Sequence, residues 1–193
     1  MKHVLITGAN RGVGLELTRQ LLARGDRVIA TCRQPDQAQI LQHWAVENDD
    51  QLLIVALDVS DNDSVQTART AVADKLDRLD MLINNAGILI KTEVLSTFDA
   101  AIMQRTFDVN VTGVMRVTTQ FLDLLRLGHE PKLINISSQL GSLNKMRPNW
   151  GRYSYNSSKA ALNMVTRMLA FDLQADGIAV RAIHPGWVQT DMG

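Results

Sequence analysis

The sequence predicts a three-layer α/β fold, a doubly wound and mostly parallel sheet covered by helices on both faces. Two observations carry this expectation. Short apolar runs alternate with longer amphipathic stretches, and a glycine-rich turn directly follows the first run. In chain order, the run at 4–7 is a first buried strand. The stretch 15–24 is a helix, with Leu17, Leu21 and Leu22 on one face and Gly25 suited to the left-handed position after it. Further strands are expected at 27–31, 52–57, 81–84, 132–136 and 179–184, most of them rich in Val, Ile and Leu as strands buried on both faces should be. Helices are expected between them at 63–76, 111–125 and 160–174. In the last, Leu162, Val165 and Leu169 share a face, and Gly177 stands soon after its end. No linker, repeat or low-complexity stretch divides the chain, so residues 1–193 are expected to form one domain.

Bulk composition narrows the class of function. Twenty basic side chains balance twenty acidic ones, so nothing points to nucleic acid or to an anionic membrane surface. No apolar run approaches the ~20 residues that span a bilayer. The apolar N-terminal stretch stops at Thr7-Gly8 with no small-residue cleavage site, which makes it a strand rather than a leader. The single cysteine, Cys32, excludes an internal disulfide and a cysteine-based zinc cluster and fits a reducing compartment. The four histidines show no metal-ligand spacing, so no metal is assigned. A cytoplasmic location is the expectation.

After the first strand comes Thr7-Gly8-Ala9-Asn10-Arg11-Gly12-Val13-Gly14. Glycines let this backbone turn sharply and let a pyrophosphate approach the helix N-terminus, where free N–H groups favour anions. The spacing is Gly-x-x-x-Gly-x-Gly rather than the commoner Gly-x-Gly-x-x-Gly. Sites that select NAD place an acid at the tip of the second strand; here the tip reads Thr31-Cys32-Arg33. A guanidinium grips a 2′-phosphate that an acid would repel, and Arg11 adds a second cation. NADP(H) is therefore favoured. NAD(H) stays open, because Asp36 lies close enough in sequence to reach a ribose.

Three further segments are Asn84-Asn85-Ala86-Gly87 after the fourth strand, Ile136-Ser137-Ser138 ending the fifth, and Tyr155-Asn156-Ser157-Ser158-Lys159 opening a long helix. With the glycine turn, they resemble the short-chain dehydrogenase/reductase family across essentially the whole chain, which implies a Rossmann fold. Residues 155–164 and 184–193 are similar to the branch containing the bacterial C-factor and the fly carbonyl reductase sniffer. The resemblance implies an oxidoreductase acting on a small carbonyl or alcohol. The C-factor side implies an alternative, a dinucleotide-binding signalling protein with little turnover. It also implies a substrate-covering helix and loop and a last strand beyond Gly193; either the sequence omits such a tail or the protein is a trimmed member of the family.

Tyr155 and Lys159 stand four apart, so on a helix they share one face. A nearby ammonium, helped by an oxidised nicotinamide, favours phenolate and moves the tyrosine pKa down from ~10. By the resemblance, Tyr155 exchanges the proton with the carbonyl oxygen and Lys159 also holds the nicotinamide ribose. Ser138 orients the carbonyl through its hydroxyl, and Asn110 holds a water behind the lysine. Seventeen positions separate Ser138 from Tyr155, a few more than usual, which enlarges the loop at 141–152. Ser142 and Tyr153 compete for these roles, but position 157, four after Tyr153, is serine. The resemblance further implies Asp58 and Val59 at the adenine, Asn84, Ala86 and Gly87 along the adenosine, and Pro185, Gly186, Val188 and Thr190 at the nicotinamide; bracing the sheet is an equal alternative for Asn84. Trp150 and Trp187 are packing or pocket residues. Helices 111–125 and 160–174 carry apolar residues around much of their circumference, and the resemblance implies pairing into a homodimer or homotetramer.

Overall fold

The computed structural model describes residues 1–48, 50–90, 93–145, 151–186 and 188. Strands β1 (His3–Thr7), β2 (Arg27–Cys32), β3 (Leu52–Ala56), β4 (Met81–Asn84), β5 (Lys132–Ile136) and β6 (Ala179–Ile183) form one sheet in the order β3-β2-β1-β4-β5-β6. Every pairing is parallel. The strand order reverses between β1 and β4, and there a doubly wound sheet opens a crevice beyond its carboxyl ends.

Why the runs were apolar on both faces is visible in β1. Val4 and Ile6 pack with Leu21 and Leu22 of α1 (Gly12–Ala23) and Leu41 of α2 (Gln39–Glu47). Leu5 faces the other way, into a cluster with Val65 and Val72 of α3 (Asn62–Ala73), Phe121 of α5 (Gly113–Arg126) and Leu169 of α6 (Tyr153–Asp172). Alternate residues of one strand thus feed two separate apolar layers, the three-layer arrangement expected.

Each expected strand and helix is present, with ends shifted by a few residues. The expected helix at 160–174 is longer, starting at Tyr153. Two helices had no counterpart among the expectations, α2 and α4 (Ala100–Phe107), because each buries a single residue, Leu41 and Thr106, and so shows no apolar stripe. Between α4 and α5 the chain makes a π-helical turn, Asp108–Thr112, which places Asn110 in the interior. Among the described residues, every buried side-chain oxygen and nitrogen but the Asn156 Oδ1 has a partner. Asn84 donates to Thr118 (3.2 Å) and to Asn135 (2.9 Å), and Asn135 donates to Thr166 (2.8 Å), tying β4, β5, α5 and α6 together. Among the described residues no helix is long and apolar enough to cross a membrane.

Candidate active site

A cleft of about 850 Å³ runs along the carboxyl ends of the strands. Its first wall is the turn between β1 and α1. Gly8 and Gly12 hold left-handed backbone, with φ of 66° and 54°. At Gly14 a side chain is impossible, since a Cβ would lie 2.3 Å from the Gly8 carbonyl oxygen. Asn85 buttresses the turn, its side-chain amide donating to the carbonyls of Thr7 (2.9 Å) and Gly8 (3.0 Å). α1 starts with no side-chain cap and no acid in its first turn, leaving backbone donors to face the cleft. Gly8, Asn10, Arg11, Gly12 and Val13 all line the cleft, and Gly14 lies buried behind them. This cradle fits a dinucleotide pyrophosphate by its shape and by its donors.

The second wall carries the groups expected around an adenosine. Arg33 lines the cleft and is exposed, as is Asp36 outside it. Cys32 is buried at the same tip, and burial pushes its thiol up, so it is a small neutral neighbour and not a reactive thiolate. Burial works to raise the Asp58 carboxyl, but the Ser60 hydroxyl (2.6 Å) and N–H (2.9 Å), together with the charges of Arg33 and Arg116, hold the group below its usual range. Val59, Ala86 and Gly87 line this wall beside Asp58. Asn84 does not; it sits in the buried network between β4 and β5.

The third wall brings together Ser138, Tyr155 and Lys159. The Ser138 hydroxyl hydrogen-bonds the Tyr155 phenol and accepts from the Leu140 N–H at 3.1 Å. Lys159 is 5% exposed and donates to the Ile136 carbonyl at 2.8 Å, with its nitrogen 5.7 Å from the centre of the Tyr155 ring. Asn110 stands behind the lysine, its amide donating to the Ile88 carbonyl (3.0 Å) and the Ser158 hydroxyl (3.0 Å) while its oxygen accepts from the Ile88 N–H (2.8 Å). A Cβ on Gly87 would come 3.2 Å from that oxygen and 3.8 Å from the lysine nitrogen, so the small residue keeps the space between them open. Of the competing residues, Tyr153 is 44% exposed at the start of α6, and neither it nor Ser142 lines the cleft. Pro185, Gly186 and Val188 close the far end; Thr190, Trp150 and Trp187 lie outside the described residues.

The electrostatics differ from the sequence expectation in one respect. Burial pushes the Tyr155 phenol up, and the opposing groups are Ser138 and Arg152 rather than Lys159, which is directed at the Ile136 carbonyl. The protein's own surroundings thus favour the neutral phenol.

Two residues of this neighbourhood escaped the sequence reading. Asn163 accepts from the Ser137 hydroxyl at 2.6 Å and follows Tyr155 and Lys159 at the same four-residue step, a regularity that was there to be found. Glu93 is a buried carboxylate that receives the Ser154 N–H at 2.7 Å, in a stretch with no pattern to mark it.

The profile of the short chain dehydrogenase family matches residues 2–193, and the chain belongs to that family. Its fold is similar to that of an NADPH-bound carbonyl reductase from chicken fatty liver, with a TM-score of 0.94 and 37% identity over 100% of this chain and 82% of that one. It is also similar to carbonyl reductase Sniffer of D. melanogaster, with a TM-score of 0.91 and 32% identity over 100% of this chain and 83% of that one. Over 115 residues it is 44% identical to the protein called C-signal of Myxococcus xanthus, covering 60% of this chain and 69% of that protein.

Burial also depresses the Lys159 ammonium, from 10.5 to about 8. Protonating this group is therefore harder in the folded chain than in the unfolded one, a penalty fully present below pH 8 and gone above about 10.5. Lys159→Met should raise the unfolding free energy of the ligand-free protein at pH 7 by about 1–3 kcal/mol, the lost bond to Ile136 offsetting part of the gain. Urea unfolding of variant and wild type should show the difference shrinking as pH rises from 8 toward 10.5; a constant difference would place its origin elsewhere.

Proposed function

We propose that this chain is an NADP(H)-dependent oxidoreductase that reduces a small carbonyl compound, or oxidises the corresponding alcohol, with Tyr155 as the proton-exchanging group. The observation that carries the reading is the Ser138–Tyr155–Lys159 cluster facing the same cleft as the glycine turn. When bound, the nicotinamide supplies or accepts the hydride. The chain does the rest. Tyr155, whose burial favours the neutral phenol, gives its proton to the carbonyl oxygen during reduction. Ser138 donates a hydrogen bond to the same oxygen and so stabilises the charge that develops there. Lys159 holds the ribose, and Asn110 fixes the backbone of Ile88 beside it. Gly8, Asn10, Arg11, Gly12, Val13 and Gly14 form the pyrophosphate cradle. Asp58, Val59, Ala86 and Gly87 take the adenosine, with Asn84 bracing the strand beneath it. Pro185, Gly186, Val188 and Thr190 take the nicotinamide side.

The choice of NADP(H) over NAD(H) rests on Arg33 and Arg11 at the tip of β2 and in the glycine turn, and accords with the NADPH-bound state of the chicken carbonyl reductase. Association into a dimer or tetramer is supported by Met164, Met168 and Phe171, which stand exposed along one stripe of α6. A second reading, a dinucleotide-binding signalling protein with little turnover, draws on the similarity to C-signal.

The experiment that separates the two readings is NADPH oxidation with a panel of aldehydes and ketones. Tyr155→Phe should lower turnover ~10²-fold or more while NADPH affinity stays within a few-fold. Full activity in that variant would assign the proton to another group, and a wild type that binds NADPH but reduces nothing would favour the signalling reading. For the cofactor, Arg33→Ala should weaken NADPH in a binding titration and leave NADH nearly unchanged. Equal loss for both would show that the arginine does not read the 2′-phosphate.

A further inference from the structure

The first turn of α6, which presents Tyr155, lacks the supports a helix start ordinarily has. Its N-cap, Arg152, has a left-handed backbone (φ 60°, ψ 43°), and no side chain of the helix's own segment caps it. A non-glycine residue in that region is strained and persists only where its surroundings hold it. The holding group comes from 61 residues away. Glu93 is 3% exposed, and one oxygen of its carboxylate accepts the Ser154 N–H at 2.7 Å while the other accepts the Ser154 hydroxyl. Its main-chain carbonyl accepts the Arg152 N–H at 2.8 Å. The approach is close enough that a Cβ on Gly151 would lie 2.5 Å from that carbonyl oxygen.

A buried carboxylate is costly unless its oxygens are satisfied, and here the N-terminal end of a helix satisfies them. Glu93 belongs to the segment after β4, whose start is fixed independently, since Ile88 is bonded through both its N–H and its carbonyl to Asn110. Ile88 and Leu89 line the cleft, and Glu93, a few residues further along the chain, is bonded to the helix that carries Tyr155. Ser154 is the residue directly before the tyrosine.

On the reading of Tyr155 given above, we propose that Glu93 is a positioning residue for the reaction, its buried carboxylate fixing the first turn of α6 so that the Tyr155 phenol meets Ser138. Lys159 lies one turn further on and has its own anchor in the Ile136 carbonyl, so loss of Glu93 should misplace the phenol and spare the cofactor contacts.

The test uses Glu93→Ala, which removes both acceptors, and Glu93→Gln, which retains one carbonyl oxygen. With a carbonyl compound reduced by the wild type, Glu93→Ala should lower kcat by ~10²-fold, the order that a misplacement of about 1 Å produces. NADPH affinity should stay within about threefold, because Lys159 keeps its own anchor. Glu93→Gln should recover all but about tenfold of the loss. Amide hydrogen exchange should show lost protection over residues 153–158 in Glu93→Ala, with protection kept over 162–169. If Glu93→Ala does not fold, Glu93→Gln and Ser154→Ala carry the test, each with a several-fold drop in kcat and unchanged NADPH affinity. Wild-type kcat in the folded variants, or unchanged exchange at 153–158, would overturn the inference. A wild type that reduces no carbonyl would sink the functional reading instead, and the exchange data would still decide whether Glu93 holds the turn.

Discussion

The arrangement depends on one close contact, the loop after β5 lying directly on the backbone of α6. At Gly141 a Cβ would be 2.6 Å from the Lys159 carbonyl carbon and 2.8 Å from the Ala160 nitrogen, so no side chain fits between loop and helix. That approach lets Lys159 reach the Ile136 carbonyl and lets Ser138 reach the Tyr155 phenol. Asn163 fastens the same junction from the next turn of the helix, through the Ser137 hydroxyl at 2.6 Å. If the contact opened, the three groups would remain in the sequence but would no longer share a point in space.

The site is maintained against a cost in stability. Burying the Lys159 ammonium disfavours its charged form, and a left-handed Arg152 adds backbone strain. The surrounding interior offsets this by leaving little else unsatisfied. The chain of bonds from Thr118 through Asn84 and Asn135 to Thr166 runs across the core without a break. Among the described residues, the Asn156 Oδ1 atom is the one buried side-chain oxygen or nitrogen without a partner, and it too lies in the first turn of α6. Strain and imperfect pairing are thus concentrated where the chemistry is proposed, a pattern in which local order has been traded for placement.

The sheet was legible because parallel strands covered on both sides must be apolar throughout, and such runs stand out between polar helices. The glycine turn, Tyr155 and Lys159 were legible because their spacing translates directly into backbone geometry. What lay hidden depended on long-range contact. α2 and α4 bury too little to leave a stripe. The π-helical turn at Asn110 changes the helical step without a marker residue, and it decides which way that side chain faces. Asn84 reads alike as a cofactor contact or a brace, and its bonds to Thr118 and Asn135 place it in the sheet's interior. Glu93 acts on a helix 61 residues away, and no local pattern encodes that pairing. The lysine's orientation was also beyond the sequence, since the same four-residue step would allow it to face the phenol or, as found, the Ile136 carbonyl.

The central claim is that backbone contact between the β5 loop and α6 assembles the reactive cluster. Gly141→Ala tests it most directly, because it inserts one methyl group at the contact and removes no functional group. Turnover of NADPH with a carbonyl substrate should fall by ~10²-fold or more in a variant whose circular dichroism retains the wild-type helix and sheet content. Wild-type turnover at an unchanged melting temperature would contradict the account, since helix and loop could then separate without disturbing the site.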